Sequence, residues 1–326
     1  MKAIVYIKYG SPDVLQFKEV EKPVPQDDEI IVKVHAVSVN RSDWEGLVGK
    51  PLYARVPGLL RPRHQILGSD VAGRVEAAGG NHTQFKPGDE VFGEMENYHG
   101  GFAEYVCTRA KAWALKPAGL TFEQAAAIPQ AGLIAVQGLR DKGQVQPGQS
   151  VLINGAGGGA GTFAIQLAKL YGAEVTGVDN AGKLDFIRSL GADHVIDYTL
   201  EDFTKNGKQY DVILDLIAHR SAFACARALR PNGRYFAVGG PVVTLLQILL
   251  LGPLIKKATR KKIHVLAVQR NRKDLGFITE LCESGKIVPA IDKRYPLSEV
   301  PEALRCLGEG RVKGKVVIVV QHTSKT

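Results

Sequence analysis

The chain has 326 residues, 45% hydrophobic and 23% charged, a composition that excludes disordered and fibrous classes. At about 150 residues per domain its length predicts two domains. Lys and Arg outnumber Asp and Glu by 42 to 33, and the net charge of +9 favours anionic ligands without calling for a nucleic-acid partner. Cys107, Cys225, Cys282 and Cys306 lie far apart with no CxxC spacing, so neither a disulfide framework nor a structural zinc cluster is expected.

A strand begins at once in residues 1–6, without the apolar core and cleavage site of a signal peptide, so a cytoplasmic location is expected. Short β segments follow at 30–38, 68–77, 89–93 and 102–106, separated by turn signals at Pro25 and Pro87-Gly88-Asp89. A twisted, barrel-like β domain fits that pattern.

In Val151-Leu-Ile-Asn-Gly-Ala-Gly-Gly-Gly-Ala-Gly161 an apolar strand runs into a glycine cluster and then into a helix-forming segment, 162–171. Gly155, Gly158 and Gly161 recur every three residues, and Ala156-x-Gly158-x-x-Gly161 departs from the GxGxxG fingerprint only in its first residue. Bare backbone lets a pyrophosphate approach a helix N-terminus, whose unpaired N–H groups meet its charge. A plain tight turn would also use glycines, but the context favours the ligand: the next apolar run, 173–178, ends in Asp179, where a ribose would lie. Gly155, Ala156, Gly158, Gly159, Ala160 and Gly161 are therefore expected to hold a dinucleotide pyrophosphate, and Asp179 the adenosine ribose. Helix-like 182–190, 200–205 and 221–229 then alternate with strands 193–196, 210–216 and 233–238, which predicts a doubly wound parallel sheet.

The apolar run 242–255 is interrupted by Gln247, Gly252 and Pro253 and followed by Lys256, Lys257, Arg260, Lys261 and Lys262. It is shorter than the roughly 20 residues that span a bilayer, so no stable membrane insertion is expected. A buried or subunit-contacting helix is the first reading, and a membrane-surface element the alternative. Helical patterns at 273–285 and 300–308 and a strand at 315–320 close the chain. A tail of that size would not fold alone. The expected domains are 1–121 with 266–326, and 122–265 inserted between them to bind the dinucleotide, with the active site in the intervening cleft.

Met1-Lys-Ala-Ile, Gly68-Ser-Asp-Val-Ala-Gly73, Lys86-Pro-Gly-Asp-Glu-Val-Phe-Gly93, Gly100-Gly-Phe-Ala-Glu-Tyr105, the glycine fingerprint and Leu190-Gly-Ala-Asp-His-Val-Ile-Asp-Tyr198 occur in order over essentially the whole chain. Together they resemble the medium-chain dehydrogenase/reductase superfamily, in its zinc-independent quinone oxidoreductase (zeta-crystallin-like) branch. The resemblance implies an α/β fold with a GroES-like β-rich catalytic domain and a Rossmann domain, a small quinone or enone substrate, and a homodimer joined through the edge strand near 263–268.

Zinc-dependent relatives hold their catalytic metal with an early cysteine, a histidine in a Gly-His-Glu segment and a later Cys or His. Here Asn40 and Ser69 stand at the first two of these positions, and the cysteine-rich structural lobe is missing between Gly93 and Gly100. His35, His64, His82, His99, His194, His219, His264 and His322 show no HxxxH or HxH spacing and read as surface or loop residues, so no metal ligand is expected. Without a Lewis acid the chemistry shifts from alcohol oxidation toward hydride delivery to a quinone or enone, with donors holding the carbonyl oxygen as charge develops. Asn40, Ser42 and Tyr53 are the expected catalytic donors, with Gln130 behind them; a capped turn or loop packing is the plainer alternative for Ser42 and Tyr53.

Asp179 would repel a 2′-phosphate and so favours NAD, whereas Lys183, Tyr198 and Arg311 resemble the residues that hold that phosphate in NADP-dependent relatives. Both NADP and NAD, as reduced hydride donors, stay open. Ile134 stands where relatives usually carry a threonine near the nicotinamide ribose. Two further functions remain in view: an alcohol dehydrogenase of the same superfamily, and a cofactor-binding protein acting mainly through RNA or a membrane surface.

Overall fold

In the computed structural model the described residues are 1–56, 58–81, 83–96 and 99–322, so His82 lies outside them. They form two units: Met1–Gln130, Arg270–Glu283 and Ile291–Thr326 make the first, Ala131–Gln269 and Ser284–Ala290 the second.

The first unit opens with the antiparallel pair β1 (Lys2–Val5) and β2 (Gln16–Glu19). Then come β3 (Ile30–Val39), α1 (Arg41–Val48), β4 (Asp70–Ala78), β5 (Glu90–Glu94), β6 (Tyr105–Thr108), β7 (Ala114–Leu115) and α2 (Phe122–Ala127). β3 is a run of β-branched residues buried along nearly its whole length, as befits the strand that pairs with β4, β6 and the chain's last strand. Trp113 is fully buried on Gly93, and its indole N–H donates to the Glu94 carbonyl at 3.0 Å, which fixes the end of β5.

After α3 (Pro129–Ala135) come β8 (Ser150–Asn154), α4 (Gly159–Leu170), β9 (Glu174–Asp179), α5 (Leu184–Ser189), β10 (His194–Asp197), β11 (Tyr210–Asp215), α6 (Ala222–Arg227), β12 (Leu229–Ala237), α7 (Val242–Thr259) and β13 (Lys262–Val265). All six strands run parallel in the order β10-β9-β8-β11-β12-β13, the doubly wound Rossmann arrangement that the alternation predicted. Such strands are covered on both faces, which is why Val151, Leu152 and Ile153 are all fully buried. Strand order reverses between β8 and β11, and ligands of such sheets bind at the carboxyl ends of strands beside that switch. The chain closes with α8 (Arg272–Glu283), β14 (Ile291–Pro296), α9 (Val300–Gly308) and β15 (Lys315–Val319). β14 and β15 complete the first unit's seven-stranded sheet, β14-β15-β3-β4-β5-β7 with β6 on β3.

One expectation fails. Residues 200–205 form turns rather than a helix, because Asp202 Oδ1 accepts the Thr204 N–H at 3.0 Å and its hydroxyl at 2.8 Å, and Asp197 caps Thr199 likewise. The run 242–255 forms the expected helix, buried on one face: Thr244, Ile248, Gly252 and Ile255 point inward and much of the rest is exposed.

Candidate active site

In the second unit the chain leaves β8 through Gly155 at φ +83°, a left-handed conformation that favours glycine. The N–H groups of Gly155 and Ala156 donate to the Val178 carbonyl at 2.9 and 3.1 Å, and that of Gly158 to the Gly155 carbonyl at 3.1 Å. A Cβ on Gly161 would lie 2.4 Å from the Gly155 oxygen and 2.5 Å from that of Ala156, so α4 closes on the turn only with glycine there. Gly158 caps α4 and brings no side chain to it. Among the described residues the N–H groups of Gly159, Ala160 and Gly161 find no acceptor, and the helix dipole adds to their pull on an anion. The six residues expected at the pyrophosphate thus divide: Gly155, Ala156 and Gly158 spend their N–H groups on the turn, and Gly159, Ala160 and Gly161 keep theirs. A dinucleotide's pyrophosphate fits this cradle.

Asp179, at the end of β9, is buried; its Oδ2 accepts the Gly157 N–H and its Oδ1 the Asn180 N–H, each at 2.9 Å. Lys183 Nζ lies 3.5 Å from Oδ1, and a Cβ on Gly157 would meet Lys183 Cδ at 2.7 Å. Asp179 therefore braces the glycine turn while Lys183 balances its charge. Tyr198 is 52% exposed, and its N–H donates to the Asp179 carbonyl at 3.1 Å. Arg311 belongs to the first unit, exposed and paired with Glu309 at 2.6 Å and Glu302 at 3.6 Å.

Asp215, which no sequence motif marks, ends β11 fully buried. Its Oδ1 accepts from Asn154 Nδ2 at 2.7 Å and from the Ile217 and Ala218 N–H groups at 3.0 and 2.7 Å; its Oδ2 accepts the Tyr235 hydroxyl at 2.8 Å. It ties the carboxyl ends of β8, β11 and β12 together beside the switch. An apolar run ending in aspartate was the available signal, as at Asp179.

In the first unit a second polar group is buried around α1 and the ends of β3, β4, β5 and β15. The Lys315 ammonium, 2% exposed, donates to Asn40 Oδ1 at 2.6 Å and lies 3.8 Å from Asp70 Oδ2. Asn40 Nδ2 donates to Ser69 Oγ at 3.0 Å. The Asn40 N–H reaches Asp43 Oδ2 at 2.7 Å, and Asp43 Oδ1 accepts the Gly68 N–H at 3.0 Å. Gly68 holds φ +101°, and a Cβ there would lie 2.6 Å from Phe102 N, so this bond needs glycine. Asp70 Oδ2 accepts the Gln130 N–H at 3.2 Å and the Ser38 hydroxyl at 3.3 Å, while Asp70 Oδ1 has no partner among the described residues. Gln130 Nε2 lies 3.2 Å from Ser42 Oγ and 3.0 Å from Glu94 Oε1, and Glu94 Oε2 pairs with Arg270 at 3.3 Å.

Asn40 and Ser42 thus belong to one network, joined through Gln130, Asp70 and Lys315. Asn40 is only 6% exposed with both ends of its amide engaged, whereas Ser42 and Gln130 are half-buried at the outer end. Tyr53 lies apart on the turn Leu52–Arg55, 39% exposed and hydrogen-bonded to Glu45. Burial pushes the Asp43 and Glu94 carboxyls up to about 7; Asp70 adds to both shifts, and Arg270 opposes that of Glu94. Burial also drives Asp70 up and Lys315 down, because an ion pair as long as 3.8 Å does not offset the desolvation of either partner.

As a donor set this group does not suit Zn²⁺. Asn40 and Ser69 bond to each other and to an ammonium, and among the described residues no three His, Cys, Asp or Glu side chains gather as a cation site. Among the described histidines, His35 stacks on Phe122 at 4.3 Å and His99 on His64 at 4.9 Å, and burial pulls His99 down to about 4.

A β-rich unit with a buried polar centre and a doubly wound unit with an open anion cradle define an oxidoreductase of the dinucleotide-binding class. Residues 26–118 match the alcohol dehydrogenase GroES-like domain, and residues 190–318 the zinc-binding dehydrogenase family. The 2-methylene-furan-3-one reductase of Solanum lycopersicum is 34% identical over 98% of this chain and 79% of its own length. The quinone oxidoreductase structure from Coxiella burnetii superposes with a TM-score of 0.88 at 30% identity, covering 98% of this chain and 99% of that one. The Escherichia coli quinone oxidoreductase complexed with NADPH gives 0.85 at 26% identity, covering 98% and 100%. The chain belongs to the medium-chain dehydrogenase/reductase superfamily and is quinone oxidoreductase-like.

The carboxyl cluster sets a pH dependence. Asp43 and Glu94 hold their protons up to about 7 in the fold, against ordinary values of 3.8 and 4.5, so the folded state binds more protons than the unfolded chain between those limits. Stability from this source falls as pH rises from about 4 through 7. Thermal melts from pH 5 to 8 should show the midpoint falling, and Glu94→Gln should flatten the slope; parallel slopes for the two proteins would refute the assignment.

Proposed function

We propose that the protein is a zinc-independent, NAD(P)H-dependent reductase of quinones or α,β-unsaturated carbonyl compounds. The observation that carries this reading is the buried Lys315 ammonium bonded at 2.6 Å to Asn40, the residue that stands where zinc-dependent relatives carry a metal-binding cysteine. Positive charge and fixed donors in a dry site stabilise a carbonyl oxygen that is gaining electrons. They do less for an alcohol, whose hydroxyl proton a metal helps to remove. The names of the Solanum lycopersicum and Coxiella burnetii relatives agree with this class, and the NADPH complex of the Escherichia coli protein agrees with the donor.

In this reading the N–H groups of Gly159, Ala160 and Gly161 hold the pyrophosphate, and Asp179, Lys183 and Tyr198 surround the adenosine ribose. When bound, the reduced nicotinamide supplies a hydride equivalent to an electrophilic carbon of the acceptor. The Ser42 hydroxyl and the Gln130 amide, as the half-buried ends of the network, hold the acceptor's carbonyl oxygen. Lys315 connects to them through Asp70, which accepts the Gln130 N–H, and solvent supplies the proton that completes the reduction.

Protein mixed with NADPH or NADH and a panel of small quinones and enones should consume reduced nicotinamide; no consumption across the panel would refute the activity. Stoichiometric zinc in protein purified without chelator would refute the metal-free part alone. Asp179→Ser should raise the preference for NADPH over NADH at least about tenfold, about 1.4 kcal/mol, because it removes a carboxylate and releases Lys183 for the 2′-phosphate. An unchanged ratio would take Asp179 out of cofactor choice.

A further inference from the structure

Helix α7 has two apolar faces, and only one is covered. Thr244, Ile248, Gly252 and Ile255 are buried, and Ile248 and Ile255 join the core of the second unit. A Cβ on Gly252 would fall 2.6 Å from the Ile263 carbonyl oxygen, so the helix is pinned against β13 and does not leave the fold to span a bilayer. On the other side Val242, Val243, Leu246, Leu249, Leu250 and Leu254 are 39% to 71% exposed. At about 100° per residue Val243, Leu246, Leu250 and Leu254 follow one stripe that runs on into Lys257, with Leu249 and Lys256 alongside.

Charge says what this face meets. From Leu216 to Gln269 the chain carries nine Lys and Arg and no Asp or Glu, so this segment accounts for the whole net charge of +9. Lys256, Lys257 and Arg260 are exposed, and among the described residues neither they nor Lys262 form an ion pair. The local field is positive: His264, on the adjoining β13, is held below its usual range by burial first and then by Lys256, Lys262 and Lys142.

We infer that α7 and the basic segment after it dock the protein on an anionic lipid surface, the leucines entering the headgroup boundary and the cations meeting lipid phosphates and carboxylates. Apolar burial and attraction to anionic lipid add in such an element. A second copy seated on the same face would set two cation clusters against each other. An RNA would use the cations and leave the exposed leucines in water.

The test is flotation of the full chain with phosphatidylcholine vesicles, with and without about a third of phosphatidylserine, at physiological ionic strength. The protein should float with the anionic vesicles and not with the neutral ones. Leu246→Gln/Leu250→Gln and Lys256→Glu/Lys257→Glu should each weaken that binding at least about tenfold, with unchanged melting and unchanged binding of reduced nicotinamide dinucleotide. No flotation with anionic vesicles overturns the inference. So does binding that the charge variant abolishes and the leucine variant keeps, the pattern of an RNA site. A leucine variant that changes only the oligomeric state overturns it in favour of a second copy.

Discussion

A lysine ammonium sealed inside the first unit is the constraint on which the polar centre depends. Lys315 opens a strand whose first four residues are buried, and taking its charge out of water is costly unless other groups surround it. Asn40 gives it a short hydrogen bond, and Asp70, Asp43 and Glu94 supply opposite charge nearby. In return the lysine fixes the Asn40 amide, and the first turn of α1 follows, since the same residue bonds Asp43 through its backbone. Burial raises all three carboxyls, Asp43 and Glu94 to about 7, so the opposite charge they offer the lysine grows as pH rises.

The second unit answers a different demand. The turn ahead of α4 secures itself with its own carbonyls and keeps only the first helical N–H groups unspent, which in the proposed function hold an anion by backbone alone. Asp179 takes part in that economy of donors by occupying the Gly157 N–H, and its charge is shared with Lys183. The apparent conflict between an acidic residue that favours NAD and a basic one that favours NADP becomes one ion pair. In the proposed function, cofactor choice turns on whether a 2′-phosphate can draw Lys183 away from its partner.

Much of the second unit was legible from sequence because parallel strands covered on both faces read as unbroken apolar runs, and glycine at every third position marks the turn whatever surrounds it. The segment 200–205 misled because its aspartates bond locally to backbone, an effect composition does not reveal. The helix at 242–255 was visible, but its orientation was not: with leucine on every side there is no period to separate inside from outside. The Lys315 centre was not legible at all. Its members run from Ser38 to Lys315, Asn40 and Lys315 are 275 residues apart, and a lysine before Val-Val-Ile-Val reads as an ordinary strand start.

The most direct test of this account replaces Lys315 with methionine and measures kcat for a quinone or enone at saturating reduced cofactor, alongside the cofactor's Kd. The account predicts a folded protein with unchanged Kd and kcat lowered at least about tenfold, the loss of about 1.4 kcal/mol of transition-state stabilisation. A folded variant with undiminished kcat would contradict it.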